Sequence, residues 1–138
     1  GTYAFFKEHA LAKGDFKDSV KEQPGSSSVV MGITEDKAGI GYSGIGYKTS
    51  GIRTVPIAMK EGGEAFAADY EHVISGEYPL GRMLYIYVVK KPGEPLPKLQ
   101  EEFLKFVLSK EGQEIAVKDG YLPLPADIAE EQIALLTK

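Results

Sequence analysis

The stretch Gly1-Thr2-Tyr3-Ala4-Phe5-Phe6 passes from a small residue and a hydroxyl directly into a helical pattern. The apolar spacing predicts a helix from about Tyr3 to Lys13. Thr2 is the expected N-cap, because its hydroxyl can accept a hydrogen bond from a free N–H group of the first turn. The first turn contains no acid, so this helix start is suited to an anion. The alternative is an ordinary capped helix that binds nothing.

A second helix start is led by serines. Ser26-Ser27-Ser28 precede Val29, Val30 and Ile33, which predicts a helix over residues 28–36. Ser26 and Ser27 are therefore secondary candidates for an anion contact. The alternative is a flexible turn followed by an ordinary helix.

Strand patterns lie between and after these helices. Glycines alternate with large apolar residues after Ala38, and a buried strand is predicted over Gly39–Tyr42. No Gly-Lys-Ser/Thr ending follows the glycines, which argues against a nucleotide P-loop. Residues 53–59 are predicted as a strand and residues 65–74 as a helix. The uniformly apolar run Met83–Val89 predicts a strand that is buried on both faces of an α/β sheet.

Helical patterns dominate the rest of the chain. An amphipathic stripe predicts one helix and consists of Leu99, Phe103, Phe106 and Val107. Ser109 is the expected cap of the next helix, and Gly120 is the expected residue after its end. A final helix is predicted from about Ala126.

Composition limits the classes of partner. The 138 residues carry a net charge of −4, which argues against a nucleic-acid partner. It does not exclude a small anion, which responds to local donors. No apolar run approaches the length of a membrane span. The sequence has no cysteine, so disulfides and thiolate chemistry are excluded.

Four separated motifs resemble, in the same order, the C-terminal half of the phosphate-binding receptors of ABC-type phosphate transporters. They are Gly1–Phe6, the Tyr78-Pro79-Leu80…Arg82 motif with the strand after it, the run Phe103–Ile115, and the segment Tyr121–Pro125. In that family a Ser-Gly-Thr turn before an aromatic-rich helix holds the phosphate. Gly1 and Thr2 match the last two residues of that turn, and the expected serine is absent from the sequence.

The resemblance implies an α/β fold of the type II periplasmic-binding-protein kind, with a mixed sheet and helices on both faces, truncated at the N-terminus. Residues 1–78 would form a second-lobe α/β segment. Residues 79–138 would form a return strand and C-terminal helices, which in the family pack on the first lobe. The resemblance also implies a periplasmic or cell-surface location, although the sequence contains no signal peptide.

The function implied is capture of phosphate or a similar oxyanion without chemistry, for an ABC transporter permease. The residues expected at the ligand are Gly1, Thr2, Tyr3, Ser26, Ser27 and Arg82. No catalytic residue, metal or cofactor is expected. The alternative for Arg82 is a structural ion pair with a nearby acid, because arginine is usually a surface or ion-pair residue.

Two other functions compete with ligand capture. A lobe that has lost ligand binding would act as a protein-interaction module. A hydrolase would need a base for its nucleophile, and neither His9 nor His72 lies in a recognisable catalytic motif. The apolar faces of residues 83–108 also predict an assembly, either a homodimer or a complex with a separately encoded N-terminal half.

Overall fold

The structure, a computed structural model, describes residues 1–136. The chain divides into two compact units, Gly1–Met83 and Leu84–Lys138. Helices predominate in both units, and a small sheet lies in the first, as in an α/β fold. No helix within residues 1–136 is both long enough and apolar enough to cross a membrane.

The first unit contains three α-helices, a short 3-10 helix and one β-hairpin. The α-helices are α1 (Thr2–His9), α2 (Ser26–Glu35) and α3 (Tyr70–Ile74), the 3-10 helix is Ile45–Tyr47, and the strands are β1 (Ile57–Ala58) and β2 (Ala65–Phe66). The two strands pair antiparallel, with Ile57 opposite Phe66. Within residues 1–136 this pair is the whole sheet, whereas the family resemblance implied a mixed sheet.

The glycine-rich segment lies directly against α2. A Cβ atom on Gly41 would lie 3.0 Å from Cγ1 of Val29, so only a residue without a side chain allows this approach. Val30 of α2 is buried. The segment nevertheless forms no strand, and the predicted strand over residues 39–42 is wrong. The glycines allow the backbone to pack closely against a helix, and they are not part of a β-sheet.

The helix predicted over residues 65–74 is also wrong in its first half. A turn in which the N–H of Gly63 donates to the carbonyl of Lys60, at 3.0 Å, precedes β2. Gly62 has a φ of +72°, a value that favours glycine. Asp69 then caps α3, so the helix begins after the cap and not at Ala65.

Three helices form the second unit as far as the structure describes it, to residue 136. They are α4 (Lys98–Leu108), α5 (Lys110–Lys118) and α6 (Ala126–Leu136). Helix α4 packs against both α5 and α6, and Leu104 and Ala129 are buried. The predicted cap of α5 is confirmed, because the Ser109 hydroxyl accepts a hydrogen bond from the Gly112 N–H at 3.2 Å. Gly120 follows α5 with a φ of +90°, as predicted for the residue after a helix end.

The apolar run at the start of the second unit is exposed. Residues 83–89 form no strand, so the prediction of a strand buried on both faces is wrong. Tyr87 is 89% exposed and Val89 is 93% exposed. A strand is stable only with a neighbouring ladder that takes up its backbone N–H and C=O groups. The described residues supply no such ladder for this run.

Candidate functional site

Helix α1 begins one residue before its predicted start. Gly1 is the N-cap, and its carbonyl accepts a hydrogen bond from the Phe5 N–H at 3.1 Å. Thr2 is therefore the first helical residue, and the prediction that its side chain caps the helix is wrong. The N–H groups of Thr2, Tyr3 and Ala4 have no acceptor within the helix, because the acceptor would lie one turn earlier. The Thr2 hydroxyl is part of the same turn.

Helix α2 has a start of the same kind. Gly25 is the N-cap, no side chain caps the helix, and Ser26 and Ser27 are its first two residues. The predicted start at residue 28 is therefore two residues late. The N–H groups and hydroxyls of both serines lie in the first turn, where helix dipoles favour negative charge.

These two starts differ from those of the other α-helices within residues 1–136. Neither α1 nor α2 has an acidic residue in its first turn. Each of the other four has one; the residues are Glu71, Glu101, Glu111 and Asp127. The chain's own carboxylates therefore complement the positive ends of α3 to α6, and not those of α1 and α2.

Arg82 lies beside the start of α1. Its guanidinium carbon is 4.7 Å from the centroid of the Phe5 ring. A Cβ atom on Gly1 would lie 3.7 Å from Nη2 of Arg82, which places the guanidinium next to the N-cap. Within residues 1–136 the Arg82 side chain forms no ion pair, so the structural ion pair considered from the sequence is not made. The Arg82 guanidinium, a planar cation whose N–H donors are free, thus lies at a helix start that no side chain caps.

The structure places Arg82 beside Gly1, the N-cap of the turn that contains Thr2 and Tyr3, and leaves Ser26 and Ser27 at a separate helix start. Among the described residues no hydrogen bond joins the two serine side chains to α1 or to Arg82. Packing contacts connect α1 and α2 instead. Phe6 of α1 stacks on Tyr42, whose neighbour Gly41 lies against α2.

The family model described as PBP superfamily domain matches residues 1–111. The chain belongs to the PBP superfamily. This match and the relatives named below together confirm the resemblance to phosphate-binding receptors that the sequence indicated.

A Pseudomonas aeruginosa protein named phosphate-binding protein PstS is 58% identical over 134 residues, which are 96% of this chain and 41% of the relative. A protein of the same name from Staphylococcus epidermidis is 32% identical over 136 residues, which are 96% of this chain and 40% of the relative. Protein SphX of Synechococcus elongatus is 28% identical over 129 residues, which are 91% of this chain and 37% of the relative. The chain thus spans about two fifths of the length of the curated relatives it matches.

One polar pair of this PBP-superfamily chain escaped the sequence analysis. The Asp69 carboxylate accepts hydrogen bonds from the backbone N–H of His72 at 3.1 Å and from its Nδ1 at 2.8 Å. These two hydrogen bonds hold the pKa of Asp69 below its usual value, and the bond from the backbone N–H contributes more than the bond from the side chain. An aspartate three residues before a histidine at a helix start is the signal that could have revealed it. The pair caps α3, and no metal-ligating cluster occurs among residues 1–136.

The second unit contains a groove of its own. It has a volume of about 700 Å³ and lies between α5 and α6, with side chains such as Val117, Leu124 and Ile133 along its walls. Its lining also includes Lys110 and Lys118 together with Glu114 and Glu130, so the groove offers an oxyanion no set of donors that is free of acids. The start of α1 with Arg82 is therefore the candidate site, although its shape is open.

Proposed function

We propose that this chain binds phosphate, or a similar oxyanion, as part of the solute receptor of an ABC transporter. One observation carries the proposal: the unpaired Arg82 guanidinium lies beside the uncapped, acid-free start of α1. Names of relatives support the choice of ligand, since the Pseudomonas and Staphylococcus proteins are both named for phosphate binding.

The site captures the anion by hydrogen bonds and charge. The N–H groups of Thr2, Tyr3 and Ala4 point out of the first turn and donate to oxyanion oxygens. The Thr2 hydroxyl adds another donor. Arg82 supplies a fork of N–H donors that matches two oxygens of one anion. Gly1 contributes by having no side chain between the guanidinium and the turn.

Ser26 and Ser27 are secondary ligands in this proposal. Their first turn carries no acid, and their hydroxyls can donate to an anion that approaches the start of α2. The net charge of −4 does not oppose binding, because fixed dipoles and nearby donors determine the local field.

The finer architecture and setting are part of the same proposal. The chain takes part in a type II fold with a mixed sheet, in which residues 1–78 belong to the second lobe and residues 79–138 return to the first. Two lobes close around the ligand by a hinge. The receptor is extracytoplasmic and delivers its ligand to the transporter permease. It needs no cofactor.

Capture without chemistry distinguishes this proposal from a hydrolase. The helix starts offer hydroxyls, but among residues 1–136 no hydrogen bond joins a histidine ring to a serine or threonine hydroxyl. His9 Nδ1 lies 2.9 Å from the carbonyl oxygen of Phe5, and His72 Nδ1 is paired with Asp69. A general base must reach the nucleophile that it activates. We therefore expect no turnover of phosphate esters, peptides or acyl esters.

Calorimetric titration with inorganic phosphate tests the function, with sulfate as a second ligand. Arg82→Ala should weaken phosphate binding by about 1.5–3 kcal/mol, because a charge-assisted hydrogen bond is lost. Arg53→Ala is the matched control, since Arg53 is an exposed arginine of the same unit. An absence of binding heat in the wild-type protein would instead favour the protein-interaction module. Equal weakening by both substitutions would argue that only overall charge matters.

Self-association completes the proposal. Seven consecutive apolar residues, 83–89, are exposed, and so are Leu99, Phe103 and Phe106. A soluble monomer rarely leaves so much contiguous apolar surface in water. We propose that residues 83–108 are covered by a second copy of the chain or, where the two-lobe receptor is assembled, by a separately encoded N-terminal half. Copurification of a different polypeptide would instead point to a heteromeric complex.

A further inference from the structure

The Phe5 ring of α1 contacts two other side chains. The Arg82 guanidinium carbon lies 4.7 Å from the ring centroid. The His9 ring stacks on Phe5 with centroids 4.2 Å apart and planes 27° apart. Gly1, beside which Arg82 lies, is one helical turn before Phe5, and His9 is one turn after it, so the two groups reach the ring from opposite directions along α1. Phe5 is thus the middle member of a stack of three groups along α1.

The His9 member of the stack is fixed to the helix. His9 Nδ1 lies 2.9 Å from the carbonyl oxygen of Phe5, one helical turn earlier. A carbonyl oxygen only accepts, so Nδ1 carries the proton and donates it. This bond holds the imidazole against the Phe5 ring. Phe5 therefore presents its ring in a defined position next to Gly1.

A contact with a ring face positions a guanidinium differently from a salt bridge. The ring attracts the cation through its quadrupole and uses none of the N–H donors of arginine. A carboxylate in the same place would take up two of those donors and cancel the charge. The stack therefore places Arg82 beside the α1 start while its charge and its donors stay available.

We propose that Phe5 is a positioning residue of the anion site: it holds the Arg82 guanidinium at the first turn of α1 with its donors free. The inference rests on the proposed function, because it deepens the role of Arg82 there. It assigns to Phe5 an effect on affinity that acts through Arg82 and not through contact with the ligand.

Phosphate affinity in a double-mutant cycle tests this role. Phe5→Leu keeps an apolar side chain and removes the ring, and should weaken binding about two- to fivefold, the range of an exposed cation–π contact. Phe5→Tyr keeps the ring face and should restore the affinity. In an Arg82→Ala background, Phe5→Leu should cause no further loss. An equal loss in both backgrounds would overturn the proposal.

Phe6→Leu is the matched control on the same helix. Phe6 stacks on Tyr42 and has no recorded contact with Arg82, so its substitution tests the general effect of losing an aromatic ring. The affinity of Phe6→Leu should equal that of the wild type. If Phe5→Leu and Phe6→Leu weaken binding to the same extent, packing of α1 explains the effect and positioning does not.

A ligand-free measurement separates this inference from the function on which it rests. The Phe5 ring should shift the NMR signals of the Arg82 side chain upfield in the wild type, and Phe5→Leu should abolish the shift. Unshifted Arg82 signals in a protein that binds phosphate would overturn the inference alone. Shifted signals in a protein that binds no phosphate would overturn the proposed function, and with it the role of Phe5 at a ligand.

Discussion

The Phe6 ring stacks on the Tyr42 ring, with centroids 4.0 Å apart and ring planes 3° apart. Phe6 belongs to α1, and Tyr42 belongs to the glycine-rich segment that lies against α2. Partial burial, with smaller contributions from Tyr3 and Glu22, raises the pKa of the Tyr42 hydroxyl. The two helix starts that carry the candidate ligands are therefore linked through one aromatic contact.

The stack should contribute measurably to stability. In a cycle of Phe6→Leu, Tyr42→Leu and the double variant, we expect a coupling energy of about 0.5–1.5 kcal/mol, as found for aromatic pairs. Denaturant unfolding measures the free energies. Strictly additive losses would contradict an interaction between the rings and would leave only the burial of each side chain.

Thr2→Ala should weaken phosphate binding by about 1–3 kcal/mol if its hydroxyl donates to the anion. In the structure Thr2 lies inside the first turn of α1, and its side chain caps none of the helix N–H groups. Its loss should therefore leave the free energy of unfolding almost unchanged. Thr2→Ser keeps the hydroxyl and is the control, which calorimetry should find close to the wild type. Unchanged affinity in Thr2→Ala would remove Thr2 from the site.

The α3 cap should depend on pH. Hydrogen bonds from His72 hold the pKa of Asp69 below its usual value, so the folded protein binds this proton less readily than the unfolded chain. The stabilisation by Asp69 is then fully present above the unfolded pKa of about 3.9. It is lost as the pH falls through the lower folded pKa. Hydrogen exchange of the α3 amides should accelerate relative to the other helices over that interval.

Asp69→Asn provides the control for the cap. An asparagine side chain caps a helix but does not titrate at acid pH. The α3 amides of this variant should therefore show no selective acceleration as the pH falls. A wild-type protein whose α3 amides behave like those of Asp69→Asn would show that the carboxylate charge does not support the cap.

The sequence predicted well those elements whose signals are local. Ser109, Gly120 and the helical patterns around them follow from capping and periodicity, and they were found where expected. The glycines around Gly41 predicted a strand, whereas the structure shows a close approach of Gly41 to α2 and no strand. A strand depends on partners elsewhere in the chain, which a local pattern does not contain.

The candidate site was predictable only in part. The resemblance to phosphate-binding receptors pointed to Gly1, Thr2 and Arg82 before their placement was known. The contact between Arg82 and Phe5 joins residues far apart in the sequence, and no spacing signals it. The sequence predicted the N-cap of α1 at Thr2, and the structure places it at Gly1. This difference lies within the usual uncertainty of one or two residues at a helix end.

Gly112 should be the most sensitive glycine of the second unit. A Cβ atom there would collide with the carbonyl oxygen of Phe106 and lie 2.7 Å from that of Val107. These backbone atoms form the corner between α4 and α5, and they cannot move without opening it. We expect Gly112→Ala to lower the free energy of unfolding by about 1–3 kcal/mol or more.

Gly32→Ala is the matched control for Gly112→Ala. Gly32 lies inside α2, and the nearest atom to its Cβ position is Nε2 of Gln23 at 3.9 Å. Alanine is a better helix former than glycine by about 0.5–1 kcal/mol, so this variant should be more stable than the wild type. Denaturant unfolding of both variants should give opposite signs. A neutral Gly112→Ala would show that the corner yields.

Charge placed on the exposed apolar run should weaken self-association without unfolding the chain. Tyr87→Glu and Val89→Glu change side chains that are almost fully exposed, so the fold should tolerate them. Each would bury a carboxylate if residues 83–108 form the interface, and an unpaired buried charge is costly. Gln132→Glu adds the same charge at an exposed site of α6 and is the control.

Light scattering at micromolar concentration should find a dimer for the wild type and Gln132→Glu, and a monomer for the two variants in the run. A well-folded wild-type monomer would refute self-association. The largest apolar patches on soluble monomers are about 300–600 Å², so that result would mean that this chain leaves a larger apolar patch in water. A dimer that persists in both variants would show that another surface makes the contact.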